Sequence, residues 1–339
     1  MTRRYYMKSG RYLVYVLLII FVVSACSEKT TEPPYGWEGS GTQNDPYLIE
    51  SAYHLKALAD SVNTGITYEE QHFVLTSDIS LAEYQTSSGW MPIGKTIPGL
   101  STAYFMGNFD GDGHKITGLY INRQQGYQGL FGSAKEATIK NLYIENAQIN
   151  SHADTGILAA VAFKSEIINC ATTGTINGGN NVGGLISLIK ESTVDKCFSN
   201  VEITGNGYLG GMFSGISASS QVSNSYSGGS ITGEAYIGGF AVAAISSSIT
   251  NCYSYTEING ENHLGGFLGT IAVSQDKNNY WDIEITDLTE SAGGIARTTN
   301  EMTYPYAENT YEEWDFENIW VEDENYEIND GYPYLIWQR

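Results

Sequence analysis

The chain has 339 residues, 42% hydrophobic and 16% charged, a balance that excludes a disordered polymer; 38 Gly and 25 Tyr against 7 Pro favour short strands and tight turns over long helices. Seventeen Lys plus Arg against 38 Asp plus Glu give a net charge of −21, which repels phosphates and excludes a nucleic-acid partner. These numbers leave a secreted or surface all-β protein.

Lys8 and Arg11 precede the apolar run Leu13 to Val23, and Val23-Ser24-Ala25-Cys26 follows. That order is a signal peptide over residues 1–25, too short to span a bilayer. Small residues directly before a cysteine resemble the lipobox of bacterial lipoproteins, which implies cleavage before Cys26 and a lipid on that residue as the membrane anchor. Met7 is an alternative start. Loss of residues 1–25 removes Arg3, Arg4, Lys8 and Arg11 and no acid, so the charge falls from −21 to −25. Residues 26–41 carry Pro33-Pro34 and read as a flexible tether. Ser27 is not the Asp that, by the same resemblance, retains lipoproteins in the inner membrane. The expectation is an outer-membrane lipoprotein of the cell envelope, facing either side.

Residues 42–119 read as an N-terminal cap with the first strands. Ser51 starts a helix with Leu55, Leu58, Ala59 and Val62 on one face, and strands follow around His72 to Leu81 and Tyr104 to Arg123. Phe109-Asp-Gly-Asp-Gly-His114 suggests a calcium loop, but the later ligand positions of that pattern fall on His114 and Ile121, so a hairpin turn is expected and no metal.

Residues 120–275 repeat. Glycines 129, 156, 184, 211, 239 and 266 are 27, 28, 27, 28 and 27 residues apart, with apolar pairs such as Leu130-Phe131 and Met212-Phe213 after them. In the same register Ile139, Ile167, Val194, Val222 and Ile249 form one column. Ile149, Ile176, Ile203, Ile231 and Ile258 form a second, and Val182, Leu209, Ile237 and Leu264 a third. Like residues recurring once per repeat are what an inward ladder needs when coils stack about 4.8 Å apart as parallel strands. Asn141, Asn169, Asn224 and Asn251, interrupted by Lys196, read as structural amides at a bend. They precede the column Leu142, Cys170, Cys197, Ser225 and Cys252, whose thiols are expected to be free core residues. No Pro lies between Pro98 and Pro305, as ladder bonding requires.

Gly129-Leu-Phe-Gly132 and the later Gly-Gly-apolar-apolar units resemble the GLUG-motif repeats of bacterial surface lipoproteins. Only the first copy has the full Gly-Leu-x-Gly; Gly156-Ile-Leu-Ala159 and Gly239-Phe-Ala-Val242 depart from it. Segments of both flanks, Gly39 to Leu58 and Tyr280 to Trp337 among them, share the resemblance. It implies a right-handed parallel β-helix, whereas periodicity alone gives a β-solenoid without its hand. Residues 276–339 then form an aromatic-rich C-terminal cap, with four of the six Trp and 16 acids against 3 basic residues from Gln275 onwards.

Gly205-Asn-Gly-Tyr-Leu-Gly210 matches a dinucleotide pattern but straddles a turn and a repeat glycine, so no cofactor is expected. HExxH, CxxC and GxSxG are absent from the sequence. Glu202 and Glu257 share a column two coils apart, near 9.6 Å at about 4.8 Å per coil, a permissive spacing for glycoside hydrolysis without a basic or aromatic clamp around it. No catalytic residue is assigned. The positive features are aromatic columns expected to face outward: Phe198, Tyr226 and Tyr253 with Tyr143, and Tyr208, Tyr236 and His263 with Asn181. Exposed ring ladders suit glycans or a host or matrix protein, while stacked Tyr also simply strengthen parallel pairing. The leading expectation is a non-enzymatic, adhesin-like surface protein. A polysaccharide hydrolase or lyase, or a structural module of a larger surface complex, are the alternatives.

Overall fold

The computed structural model describes residues 36–97, 101–272 and 274–339; the expected signal peptide, Cys26 and most of the tether lie outside them. The chain winds into a parallel β-solenoid of about eight coils. A nine-stranded sheet runs from Tyr47–Ile49 to Gln275–Lys277, and an eleven-stranded sheet ends at Ile295–Arg297. A six-stranded sheet spans Phe131–Lys135 to Leu268–Ala272, and a five-stranded one spans Ala153–Gly156 to Asn262–Gly265.

The three aliphatic columns pair in register and point inward. Ile139, Ile167 and Ile249 have no exposed surface, and the column extends back through Phe109 and Phe73. Each such side chain contributes about 1.5–3 kcal/mol on burial. Because every coil supplies the same positions, each covers its neighbours and the core is continuous along the axis.

Corners between the flat sheets are made by single left-handed residues. Asn141, Asn169, Asn224 and Asn251 have φ of 52°, 51°, 47° and 56°, and Lys196 takes the same conformation at 54°. Asn tolerates that region best among residues with a Cβ, which explains the column. The amides also bond along the axis: Asn169 Nδ2 donates to Asn141 Oδ1 at 2.9 Å and Asn141 Nδ2 to Asp110 Oδ1 at 2.9 Å.

The glycine column has a steric cause. A Cβ on Gly129, Gly211 or Gly239 would lie 2.2, 2.0 or 2.2 Å from the carbonyl oxygen of the next coil's glycine. The register differs from the spacing at Gly156, which pairs with Gly183, not Gly184, so that the buried Ile157 stands where the next coil has Gly184.

Helix α1, Ala52–Asn63, lies over the first coils, with the Ser51 side chain accepting the His54 N–H at 3.3 Å. Its buried face carries Leu55, Leu58, Ala59 and Val62. At the far end Trp281 joins the inner core, its ring filling the space a Cβ on Gly266 would need. Residues 283–294 cover the last coil, with Ile283 and Leu288 packed on the inner core and Ser291 Oγ accepting the Phe267 and Leu268 N–H groups at 3.0 Å. The segment from Thr298 onwards folds back along the outer surface of the eleven-stranded sheet, where Tyr311, Trp314, Trp320, Tyr332 and Leu335 form a second core.

Candidate functional site

Strand register places Tyr143, Ala171, Phe198, Tyr226, Tyr253 and Tyr280 in one outward column. The expectation of an exposed surface fails for its centre: Phe198, Tyr226 and Tyr253 are 7%, 2% and 0% exposed. The reason is the returning C-terminal arm, which buries this apolar strip under its own rings. Phe198 and Tyr226 stack at 4.9 Å and 5°, and Tyr226 and Tyr253 at 4.9 Å and 14°. The Tyr253 hydroxyl donates to the Pro333 carbonyl and accepts from Asn329 Nδ2 at 2.6 Å. Burial pushes the hydroxyls of Tyr226, Tyr253 and Tyr311 well above the ordinary phenol range. These rings hold the cap and are closed to a ligand.

The second column remains outside. Tyr208 and Tyr236 are 44% and 40% exposed, and His263 is exposed beside them on the rim of the five-stranded sheet. Their neighbours Leu209, Ile237 and Leu264 anchor the strands inward. Left-handed backbone at Tyr236 (φ 56°) and His263 (φ 52°) turns these side chains along the rim. Tyr208 stacks on Tyr236 at 4.8 Å and 26°, and Tyr236 on His263 at 4.6 Å and 6°. The faces are therefore spent on one another, so a sugar ring cannot lie flat on the middle of the ladder. What it offers is a row of ring edges, hydroxyls and imidazole nitrogens. Asn181 Nδ2 and Asp154 Oδ1, bonded at 2.8 Å, continue the row as a polar pair.

Other sequence candidates resolve into separate places. Glu202 and Glu257 flank Ser230 in register, both exposed. Asp110 in the Asp-Gly-Asp-Gly turn is committed to structure: it accepts the Asp112 N–H and Asn141 Nδ2, each at 2.9 Å, and pairs with Lys140 at 3.0 Å. Among the described residues no group of three or more His, Cys, Asp or Glu is placed to hold a metal. Cys170, Cys197 and Cys252 are free and buried. Cys197 Sγ accepts the Cys170 N–H at 3.3 Å, and burial drives the Cys197 thiol well above its ordinary range.

One concavity was invisible in the sequence: a groove of about 570 Å³ along the edge of the returning arm, between Trp337 to Arg339 and the corner residues Asn141 and Asn169. It joins positions nearly 200 residues apart, and no repeat pattern marks the arm's landing point.

No protein-family model matches the chain. Over 164 residues, 46% of this chain, it is 33% identical to a protein of Evansella cellulosilytica provisionally named a Gly-rich membrane protein. Over 166 residues, 47% of this chain, it is 30% identical to Halomucin of Haloquadratum walsbyi. The matches cover 18% and 2% of those proteins, so the chain spans a small part of either. Among the described residues no helix is long and apolar enough to cross a membrane. A crystal structure from Bacteroides ovatus, provisionally described as an immunoglobulin A1 protease, superposes with a TM-score of 0.64 at 20% identity, covering 88% of this chain and 94% of that one. The likeness is one of fold: this chain shares the β-solenoid architecture of that protein.

Proposed function

We propose that this chain is a non-catalytic binding module of the cell envelope, a GLUG-like lipoprotein anchored through Cys26, that presents its solenoid to a glycan or protein ligand. The observation that carries the reading is the Tyr208, Tyr236 and His263 ladder. The same chain buries its other ring column almost completely, yet leaves two Tyr in this one 44% and 40% exposed. Half-exposed, mutually rigidified aromatic rings with polar rims are the composition of recognition surfaces. An envelope location is supported by the lipobox-like Val23-Ser24-Ala25-Cys26 and by the membrane designation of the Evansella cellulosilytica relative.

The test is binding of the purified protein to an array of glycans and matrix proteins beside a Tyr208→Ala/Tyr236→Ala double variant with unchanged circular dichroism. Binding by the parent and its loss in the variant is the expected result. Equal binding by both removes the ladder from the function. Protease shaving of intact cells tests surface display, and full protection of the protein rules out an outward-facing role.

A further inference from the structure

The groove under the edge of the C-terminal arm has the chemistry of a carbohydrate site. Its floor is the half-buried Tyr143 at the start of the outward column, and its far wall is the half-buried Trp337, which stacks on the buried Phe198 at 5.7 Å and 23°. The lining also carries amides: Asn141, Asn169 and the exposed Asn200 on the coils, and on the arm Asn329 and Gln338, which bond the hydroxyls of Tyr253, Tyr255 and Tyr226. Its volume, about 570 Å³, falls in the range of small-molecule sites.

Among these amides Asn169 is unfinished. Its Nδ2 donates to Asn141, but its Oδ1 is buried with no hydrogen-bond partner. The next corner residue, Lys196, directs its ammonium to Asp195 at 3.0 Å. A buried carbonyl left unpaired costs about 1–3 kcal/mol, so the site gains when a ligand brings an O–H or N–H to it.

We infer that this groove binds a neutral oligosaccharide, a second site distinct from the exposed ladder. A pyranose has apolar C–H faces and a rim of hydroxyls that donate and accept. The Tyr143 and Trp337 rings and the Asn200 amide in one lining match both surfaces, and the orphaned Asn169 Oδ1 receives a sugar hydroxyl. Charge in the groove is nearly balanced: Lys115 and Arg339 stand against Asp112, and Lys115 is held at 5.1 Å over the Tyr143 ring and 3.7 Å from Glu145. That balance, in a chain of net charge −21, disfavours a polyanionic sugar.

The experiment is calorimetric titration of the full chain with cellohexaose, mannohexaose and maltohexaose, with an oligogalacturonate as the anionic control. The variants are Asn200→Ala, at an exposed position, and Asn169→Gly, which keeps the left-handed corner. Binding of at least one neutral hexasaccharide, weakened about tenfold in either variant, is the expected result. The Tyr208→Ala/Tyr236→Ala variant should bind it unchanged. No binding of any of the three, preference for the oligogalacturonate, or equal binding by both groove variants overturns the inference. Loss only in the ladder variant overturns it too while supporting the proposed function, so the two readings fail separately.

Discussion

Trp337 donates its indole N–H to the carbonyl of Lys196 at 3.0 Å, closing a contact across 141 residues at the coil where the asparagine ladder is broken. The same ring stacks on Phe198, so one side chain fastens the end of the chain to the middle of the solenoid. Trp337→Ala removes both interactions and should cost about 2–3 kcal/mol, read from urea unfolding. An unchanged midpoint would show that the arm is held without it.

The coil-to-coil glycines make a sharper pair. A Cβ on Gly211 would stand 2.0 Å from the Gly239 carbonyl, which only a backbone shift can relieve, whereas on Gly215 it meets just the end of the Leu188 side chain at 2.9 Å. Gly211→Ala should destabilise by about 1–3 kcal/mol or more, and Gly215→Ala, on a strand where Ala outperforms Gly, by far less. Thermal melts of both variants check the order; the reverse order would contradict the packing described.

Asp323 is the hub of the arm's last loop. Burial alone would raise its carboxyl, but the N–H groups of Gly331, Asn329, Ile328 and Glu327 outweigh it and hold the group below the ordinary carboxylate range. A depressed pKa gives stability that is complete above the unfolded value and lost as pH falls through the folded one. Asp323→Asn should therefore cost about 1–3 kcal/mol near pH 7 and progressively less towards about pH 3. Urea titrations at both ends measure the gap.

On the alkaline side the sign reverses. Tyr226, Tyr253 and Tyr311 hold their protons more tightly folded than unfolded, so their contribution is intact below about pH 10 and lost as pH rises beyond it. Each should remove about 1.4 kcal/mol of stability per pH unit in that range. Phenolate absorbance should show these rings ionising together with unfolding; their free titration in the folded protein would mean the cap is open.

Glu202→Gln and Glu257→Gln, at exposed positions without a shared cavity, should leave both fold and binding unchanged. The purified protein should shorten no polysaccharide. Turnover that either substitution abolishes would establish the enzymatic alternative.

The coils were legible because their constraint is periodic: Ile139 and Ile167 are like residues because they touch like neighbours, and spacing alone reports that. Asn at the corners was legible for a related reason, although its left-handed backbone was not, since Lys196 adopts the same conformation. The arm's destination was not legible. Whether an outward ring such as Tyr226 or Tyr236 is exposed depends on a segment 70 to 110 residues later, whose path is set by packing and not by repeat. One column therefore matched the expectation and the other reversed it, with nothing in either strand to distinguish them.

The returning arm also decides how the protein can change length. Its rings and hydrogen bonds are matched one for one to successive coils, Trp337 to the coil of Lys196 and Asn329 to that of Tyr253. Duplicating a coil between those two would separate the landing points by a strand spacing and unfasten one of them. A coil gained before Leu142 would move neither. Repeat number is thus free to drift on the side towards the N-terminus and locked beneath the arm, so lineages that lengthen this solenoid should do so from its first coils.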